Sequence, residues 1–236
     1  MSEILAVLDP EDHREQVLAV AAALAETLQV PVRHLVLLEE DDLTTRSATV
    51  LAAIGRDKTL LSVLAGAAEV EALCWQVVTA ARKPVVLVPT HPGRPVSRVS
   101  RVLLPLDGTQ ETAGAVTEAV ELLVGAGVQL VALHVFDPHT VPAFWDQPAH
   151  TARAWSEEFL ARNLADHGAE LETRAGRPER EVSDAAVMLE ADLLLMGWSQ
   201  HVEPERAATV RAAVADGTVP VLLVPLAAGH VGRARS

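Results

Sequence analysis

The sequence predicts an α/β protein made of two tandem doubly wound open parallel sheets. The first observation is an internal repeat, which aligns Ile4 with Val102, Asp9 with Asp107 and Val30 with Val128 without a gap. The second is that short apolar runs, too short for buried helices, alternate with stretches whose apolar residues recur every three or four positions. The order strand, helix, strand is the signature of right-handed βαβ units in a parallel sheet.

The repeat also sets the predicted domain boundaries. Both halves close on similar segments, KPVVLVP in the first and VPVLLVP in the second. The stretch between the halves is rich in proline, glycine and arginine, as linkers are. We expect one domain over residues 1–90, a linker over 91–99, a second domain over 100–228 and a disordered tail over 229–236.

The first half is predicted to be a shortened copy of the second. Its elements are, in order, a strand at 4–8, a helix carrying Val17, Ala21, Leu24 and Leu28, a strand at 32–38, a helix near 43–54, a strand at 60–65, a helix at 70–80 and a strand at 85–89. The helix and strand that precede the fourth strand in the second half are missing. In a sheet of order 3-2-1-4-5 the third strand lies at the edge, so its loss leaves an intact sheet of order 2-1-4-5.

The second half carries the complete set of five strands. Its elements are, in order, a strand at 102–106, a helix carrying Val116, Val120 and Leu123, a strand at 129–135, a helix at 152–165 with Trp155, Phe159 and Leu160 inward, a strand at 169–174, a helix at 179–189, a strand at 192–196, a helix at 204–214 and a strand at 219–225. Pro204 suits the first turn of the last helix. We expect the order 3-2-1-4-5.

Charge and composition exclude several classes of partner. The formal net charge is −13, which is the wrong sign for a protein that binds nucleic acid. No apolar run approaches the roughly 20 residues that span a bilayer, so we expect no membrane insertion. Cys74 is the single cysteine, which rules out a disulfide within the chain and favours the cytoplasm.

The pattern resembles the universal stress protein family, in particular its tandem-domain members. The segments that carry the resemblance are LLPLDGTQETAGAV (103–116), HVFDP (134–138), RAGRPEREVSDAA (174–186), ADLLLMG (191–197) and TVPVLLVP (218–225). They cover essentially all of the second half, and in the first half the first, fourth and fifth strands match. The resemblance implies an aspartate near adenine at the end of the first strand. It also implies that a glycine ending the fourth strand opens a G-x2-G-x9-G-[ST] loop around ribose and phosphates.

The resemblance implies a ligand crevice in the second half and ATP or another adenine nucleotide as its ligand. The candidate crevice residues are Asp107, Gly108, Thr109, Val135, Gly197 and Ser199.

The phosphate loop departs from the family pattern. Gly197 is present, but Gln200, Val210 and Arg211 stand where the pattern has glycine, glycine and Ser/Thr. Those glycines let the backbone approach a phosphate closely, and a helix N-terminus then donates to it. Trp198 and His201 add further bulk to this loop.

Acidic residues follow the altered loop in both halves. Glu203 and Glu205 stand at the start of the last helix, and Glu69 and Glu71 follow Gly66 in the first half. Negative charge there suits the helix dipole but repels a polyphosphate. We therefore expect ATP binding to be weak or lost in both halves.

Asp9 and Asp107 each have two interpretations. Both end central strands, where open α/β sheets keep their ligand crevices, so they could contact adenine or ribose. Each could instead cap the following helix and stabilise the turn before it.

No catalytic constellation and no metal site is predicted. Five residues between 134 and 150 have side chains of the types that bind metal ions, but their spacing does not favour a metal site. They are His134, Asp137, His139, Asp146 and His150. In the same region Phe144 and Trp145 could form an apolar lid, or pack on their own domain or a partner. Cys74 and Trp75 are expected to face the core or an interface, and neither Cys74, Ser199 nor Thr109 has an evident base.

The two closing strands are expected to pair with each other. The resemblance implies that the last strands pair edge to edge across a two-fold axis, and apolar edge strands aggregate if left bare. We therefore predict antiparallel pairing of the segment from Val85 to Pro89 with the segment from Val221 to Pro225. This pairing makes a pseudo-dimer within one chain. A homodimer of the whole chain remains a further alternative.

Two functions remain open from the sequence. The first is a cytoplasmic regulatory or stress-response protein of the universal stress protein type, whose nucleotide site is weak or lost. The alternative is a small-molecule-binding module with a switched ligand, its crevice lined by Trp198, His201, Asp107 and the Phe144–Trp145 loop. A third function, hydrolysis of a nucleotide or ester, is supported only by the general fold.

Overall fold

The computed structural model describes residues 1–10, 13–91, 93–95, 97–136, 149–164 and 167–226. The predicted tail at 229–236, and Phe144 and Trp145, lie outside these residues. Among the described residues no helix has the length and apolar character needed to cross a membrane.

The first half contains four strands and three helices. They are β1 (Glu3–Leu8), α1 (Arg14–Leu28), β2 (Val32–Val36), α2 (Leu43–Ile54), β3 (Thr59–Ala65), α3 (Leu73–Ala80) and β4 (Val85–Val88). Asp42 caps α2 by accepting a hydrogen bond of 2.7 Å from the Thr45 N–H, which lowers the pKa of the Asp42 carboxyl.

The described residues of the second half form five strands and four helices. They are β5 (Arg101–Pro105), α4 (Gln110–Gly125), β6 (Gln129–Phe136), α5 (Ala149–Asn163), β7 (Glu170–Ala175), α6 (Pro178–Met188), β8 (Leu193–Trp198), α7 (Pro204–Ala215) and β9 (Val221–Pro225). Proline opens both α6 and α7, where its missing N–H costs nothing.

All nine strands form one sheet, in the order β2-β1-β3-β4-β9-β8-β5-β6-β7. The first half therefore has the order 2-1-4-5 and the second half the order 3-2-1-4-5, as the sequence predicts. Every neighbouring pair within a half is parallel. The two expected sheets are thus joined into a single sheet rather than standing apart.

The join is an antiparallel pair of edge strands at the centre of the sheet. In β4 and β9, Val86 lies opposite Leu222, and Val85 lies opposite Leu223. Val86 and Leu222 are both buried. Pairing edges in this way removes two bare apolar strands from solvent, and it gives the tandem halves the form of a pseudo-dimer.

Each face of the sheet carries its own hydrophobic core. One face packs against α1, α4 and α5, and its core includes Leu24, Val120 and Phe159. The other face packs against α2, α3, α6 and α7, and its core includes Trp75 and Trp198. Both cores run continuously from one half into the other.

Asp192 anchors the segment that connects the halves. Its buried carboxylate accepts hydrogen bonds from the Ser100 N–H at 2.8 Å, the Ser100 hydroxyl at 2.6 Å and the Arg101 N–H at 3.0 Å. Arg94 donates to its other oxygen at 2.5 Å. Burial alone would raise the pKa of Asp192, but the hydrogen bonds and the Arg94 guanidinium outweigh it and lower that pKa.

We expect Asp192→Asn to destabilise the protein by about 1–3 kcal/mol at neutral pH, since amide hydrogens would face donors. A lowered folded pKa contributes stability above the unfolded pKa, and this contribution is lost as the pH falls through the folded value. The variant should therefore lose part of the acid dependence of unfolding free energy. Urea titrations at neutral and acidic pH measure this dependence. The exposed Asp184→Asn serves as control, and equal acid dependence in Asp192→Asn and wild type would contradict the prediction.

Candidate functional site

A cavity of about 320 Å³ opens at the carboxyl ends of β5 and β8, where the strand order of the second half reverses. Open α/β sheets place ligand crevices at this switch point. Of the six candidate crevice residues, Asp107, Val135 and Gly197 line the cavity, whereas Gly108, Thr109 and Ser199 do not. The lining also includes residues that the sequence did not single out for it: Pro105, Leu106, Thr112, Leu133, His134, Pro178, Val182, Met196, Thr209 and Val210.

Asp107 belongs to a hydrogen-bonded turn at the start of α4. Its carboxylate accepts from the Thr109 N–H at 2.9 Å, the Thr109 hydroxyl at 2.8 Å and the Thr112 hydroxyl at 3.2 Å. The side chain that caps the helix is that of Thr109, which accepts from the Thr112 N–H. Gly108 adopts φ of 84°, which favours glycine. Asp107 therefore stabilises the turn while it remains exposed at the cavity.

His134 lines the cavity and belongs to an aromatic cluster. Its Nδ1 lies 2.9 Å from the Leu106 carbonyl oxygen, which can only accept, so Nδ1 carries the proton. Its ring centroid lies 4.6 Å from that of Phe136 and 5.0 Å from that of Phe159, and Trp155 completes the cluster. The sequence suggested only a metal-ligand role for His134. The period-two alternation of β6, which puts His134 and Phe136 on one face, is the signal that could have revealed the cluster.

The structure describes the side chain of one of the five metal-ligand candidates. Of their side chains, that of His134 lies within the described residues and the other four do not. No group of three His, Cys, Asp or Glu side chains in the described part of the chain is placed to hold a metal ion.

Gly197 sits where two elements approach the sheet closely. A Cβ at this position would lie 3.2 Å from Thr112 Cγ2 and 3.4 Å from Leu226 Cδ2. A larger residue would push α4 away from β8 and reshape the cavity. Steric fit within the protein is therefore one reason for glycine here, independent of any ligand.

Trp198 is not among the residues that line the cavity, so the prediction that it lines the crevice is wrong. Strand β8 extends through Trp198, and the indole is buried beside Trp75 of the first half. The two ring centroids are 6.2 Å apart. Trp198 Nε1 donates to the Val78 carbonyl in α3 at 3.0 Å.

Gln200 binds the first half as well. Its Nε2 donates to the Ala81 carbonyl at 2.7 Å and lies 3.4 Å from the Val78 carbonyl, at the C-terminus of α3. Its backbone has φ of 63°, in the left-handed region that favours glycine. Ser199, between these two contacts, is half-buried. The turn after β8 therefore holds the end of α3 in place.

Helix α7 occupies the chain that follows this turn. It begins at Pro204, so Val210 and Arg211 lie in its middle rather than at a helix N-terminus. Val210 is buried and forms part of the cavity wall together with Thr209. At the solvent side of the turn, His201 Nδ1 lies 3.6 Å from Glu203 Oε2.

In the first half, residues of the protein itself cover the position that corresponds to the cavity. Asp9 is buried and forms an ion pair of 3.2 Å with Arg46 of α2. The N-cap residue of α1, His13, makes no side-chain capping bond. At Gly66 a Cβ would lie 3.1 Å from Val214 Cγ1 of α7, so the second half packs directly over this position.

Comparison with known proteins shows that the fold is similar to that of universal stress proteins. The universal stress protein family model matches residues 98–225. A universal stress protein from Archaeoglobus fulgidus DSM 4304 is similar in structure, with 14% identity, 95% of this chain and 96% of that chain covered, and a TM-score of 0.62. A functionally unknown protein from Pseudomonas aeruginosa PAO1 has 17% identity, coverage of 96% and 93%, and a TM-score of 0.63. No curated protein matches the chain.

Proposed function

The chain belongs to the universal stress protein family, and on that premise we propose that it is a non-enzymatic regulatory protein of the cytoplasm in which ATP binding by the family loop is weak or lost. We further propose that residues 1–90 and 100–228 act as its two domains, joined by a linker at 91–99. The single, buried Cys74 suits a reducing compartment.

The main support for this proposal is that the turn after β8 binds the first half of the chain. A phosphate loop needs a bare backbone whose N–H groups are free to donate. Here Trp198 and Gln200 both donate to carbonyls of the first half, and this fixes the turn against α3. The conformation of the turn is therefore stabilised by contacts with α3 of the first half.

The position of α7 gives the second support. In the family pattern the closing glycine and Ser/Thr precede a helix whose first N–H groups face the phosphates. In this chain those positions are Val210 and Arg211, in the interior of α7, where backbone N–H groups bond within the helix. Their amides are therefore occupied before any ligand arrives.

Charge gives the third support. No Lys or Arg is among the side chains that line the cavity in the described structure, and Asp107 contributes a carboxylate to it. Glu203 adds a second negative charge near the start of α7. Tight phosphate sites usually rely on Arg, Lys or helix N-termini, and this crevice offers an anion instead.

Isothermal titration of the full chain with ATP, AMP and cyclic AMP tests the proposal. We expect dissociation constants above about 1 µM, which is a binding free energy weaker than about −8 kcal/mol. Gln200→Gly is the matched variant, because it restores a motif glycine at a left-handed position. It should not restore tight ATP binding, since α7 still begins at Pro204. Sub-micromolar ATP affinity of the wild-type chain would refute the lost site.

The alternative is a small-molecule-binding module with a different ligand, and the cavity itself favours it. Its walls combine apolar side chains with Asp107, Thr112 and His134, a mixture typical of ligand sites. Native mass spectrometry of freshly purified protein discriminates the two functions. A retained non-covalent mass supports the alternative, and a bare chain supports the regulatory protein without a resident ligand.

A further inference from the structure

The outer edge of the first half lacks the cover that the second half provides for itself. In the second half β7 pairs with the edge of β6, and Phe159 and Trp155 of α5 pack over its face, so Phe136 is buried and His134 is half-buried. Among its described residues the first half has no counterpart of β7 or α5. Val36 and Leu38, which correspond to His134 and Phe136 in the repeat, are each 54% exposed.

The backbone of β2 also presents unused hydrogen-bonding groups at this edge. The Ile4 N–H donates to the Pro31 carbonyl, and the Leu37 N–H donates to the Leu8 carbonyl. Odd-numbered residues of β2 therefore bond to β1. Because backbone groups alternate along a strand, the N–H and C=O groups of Val32, His34 and Val36 point away from the sheet.

The two free edges of the sheet differ in how they are protected. At the β7 edge, Glu170, Glu172 and Arg174 place charged side chains along the strand, a common device against unwanted pairing. In β2 the charged side chain is that of Arg33, and it is bound to Glu3 at 2.5 Å. The β2 edge, meaning residues 32–36 with Leu38, is therefore left open to pairing.

We propose that the β2 edge pairs antiparallel with the β2 edge of a second copy of this chain, about a two-fold axis at His34. The outward backbone groups of Val32, His34 and Val36 then bond to those of Val36, His34 and Val32 of the second copy. An isologous contact must be self-complementary. The exposed face of this edge meets that requirement, because Val36 lies opposite Val32 of the second copy and Leu38 lies opposite its Val30.

Charge does not oppose this arrangement within the paired segment. The acidic run at 39–42 follows the edge and lies beyond its end. In this register Glu39, the first residue of the run, comes opposite Gln29 of the second copy, which carries no charge. This interface involves neither the cavity nor the join of the halves, so it stands apart from the proposed function.

Val36→Pro tests the pairing with little disturbance of the protomer. It removes an outward N–H that β1 does not use, and edge strands accept proline at such positions. Light scattering after gel filtration, over a wide range of concentrations, should show a dimer for the wild-type chain. The variant should raise the dimer dissociation constant at least about tenfold, because each copy loses a hydrogen bond and leaves a carbonyl unpaired.

A second variant and a control keep the test decisive. Val36→Lys with Leu38→Lys should yield a monomer, and both residues are exposed enough to leave folding intact. Val187→Lys with Met188→Lys, at exposed residues of α6, should remain dimeric. In the wild-type chain, hydrogen exchange at the His34 and Val36 amides should slow as concentration rises. A wild-type chain that is monomeric throughout, or edge variants that dimerise as wild type does, would overturn the proposal.

Discussion

Replacing Val86 and Leu222 together by lysine is expected to unfold the protein. The two residues face each other across β4 and β9 and are 0% and 2% exposed. Each buried ammonium costs several kcal/mol, and the stability of a native protein is about 5–15 kcal/mol in all. Circular dichroism and light scattering should show loss of the cooperative melt and of compactness.

The control for this double variant adds the same two charges at solvent-exposed positions. Leu122→Lys with Val187→Lys adds two lysines at exposed positions on helices, where such changes stay within about 0.5 kcal/mol. This control should melt as wild type does. If the Val86 and Leu222 variant also kept wild-type melting and compactness, the antiparallel join would be wrong.

Trp198→Ala should produce the second-largest loss. It removes a fully buried indole between the halves, its packing on Trp75 and its bond to Val78. Truncation of a buried tryptophan costs about 3–5 kcal/mol, and a chain of this size loses roughly 2–4 °C of melting temperature per kcal/mol. Calorimetry should therefore show a fall of roughly 6–20 °C.

Trp198→Phe separates packing from hydrogen bonding. The ring is largely kept, but the Val78 carbonyl loses its donor, so the expected cost is about 1–3 kcal/mol. Trp75→Phe is the matched change within the first half, because its Nε1 bonds only to Ala67 of the same half. A Trp198→Ala protein that melts within about 2 °C of wild type would contradict the inferred role, since that corresponds to about 1 kcal/mol or less.

The strand order could be predicted because it follows from patterns local to each half. The repeat fixed the equivalence of Ile4 and Val102, and the missing stretch before β3 identified an absent edge strand. Parallel neighbours and right-handed crossovers then leave few arrangements. Element ends were less certain: β2 stops at Val36 rather than at 38, and β8 runs to Trp198 rather than to 196.

The direction of Trp198 was missed for a definite reason. The family motif starts its loop at Gly197, so the next residue was taken as part of a loop. Side chains alternate along a strand, and Trp198 shares a face with Leu194 and Met196 in the core under α3 and α7. Met196 on the same face lines the cavity, so alternation along β8 gives the face of Trp198 but not its position, which depends on packing against Trp75 of α3.

Other parts of the site depend on contacts between distant segments. Asp9 pairs with Arg46, and Gln200 bonds to Ala81, in each case because packing of whole helices brings them together. No spacing in the sequence encodes those distances. The turn around Asp107 is the opposite case, since Thr109 and Thr112 follow at positions that local geometry already connects.

The antiparallel join also has an evolutionary consequence. When two identical chains associate about a two-fold axis, every substitution appears twice, so both sides of the contact must tolerate it. Here one polypeptide supplies both sides. A tryptophan could arise after Gly197 while an alanine stands after Gly66. In a tandem chain the two surfaces can therefore change independently, since a substitution on one side of the contact is not repeated on the other.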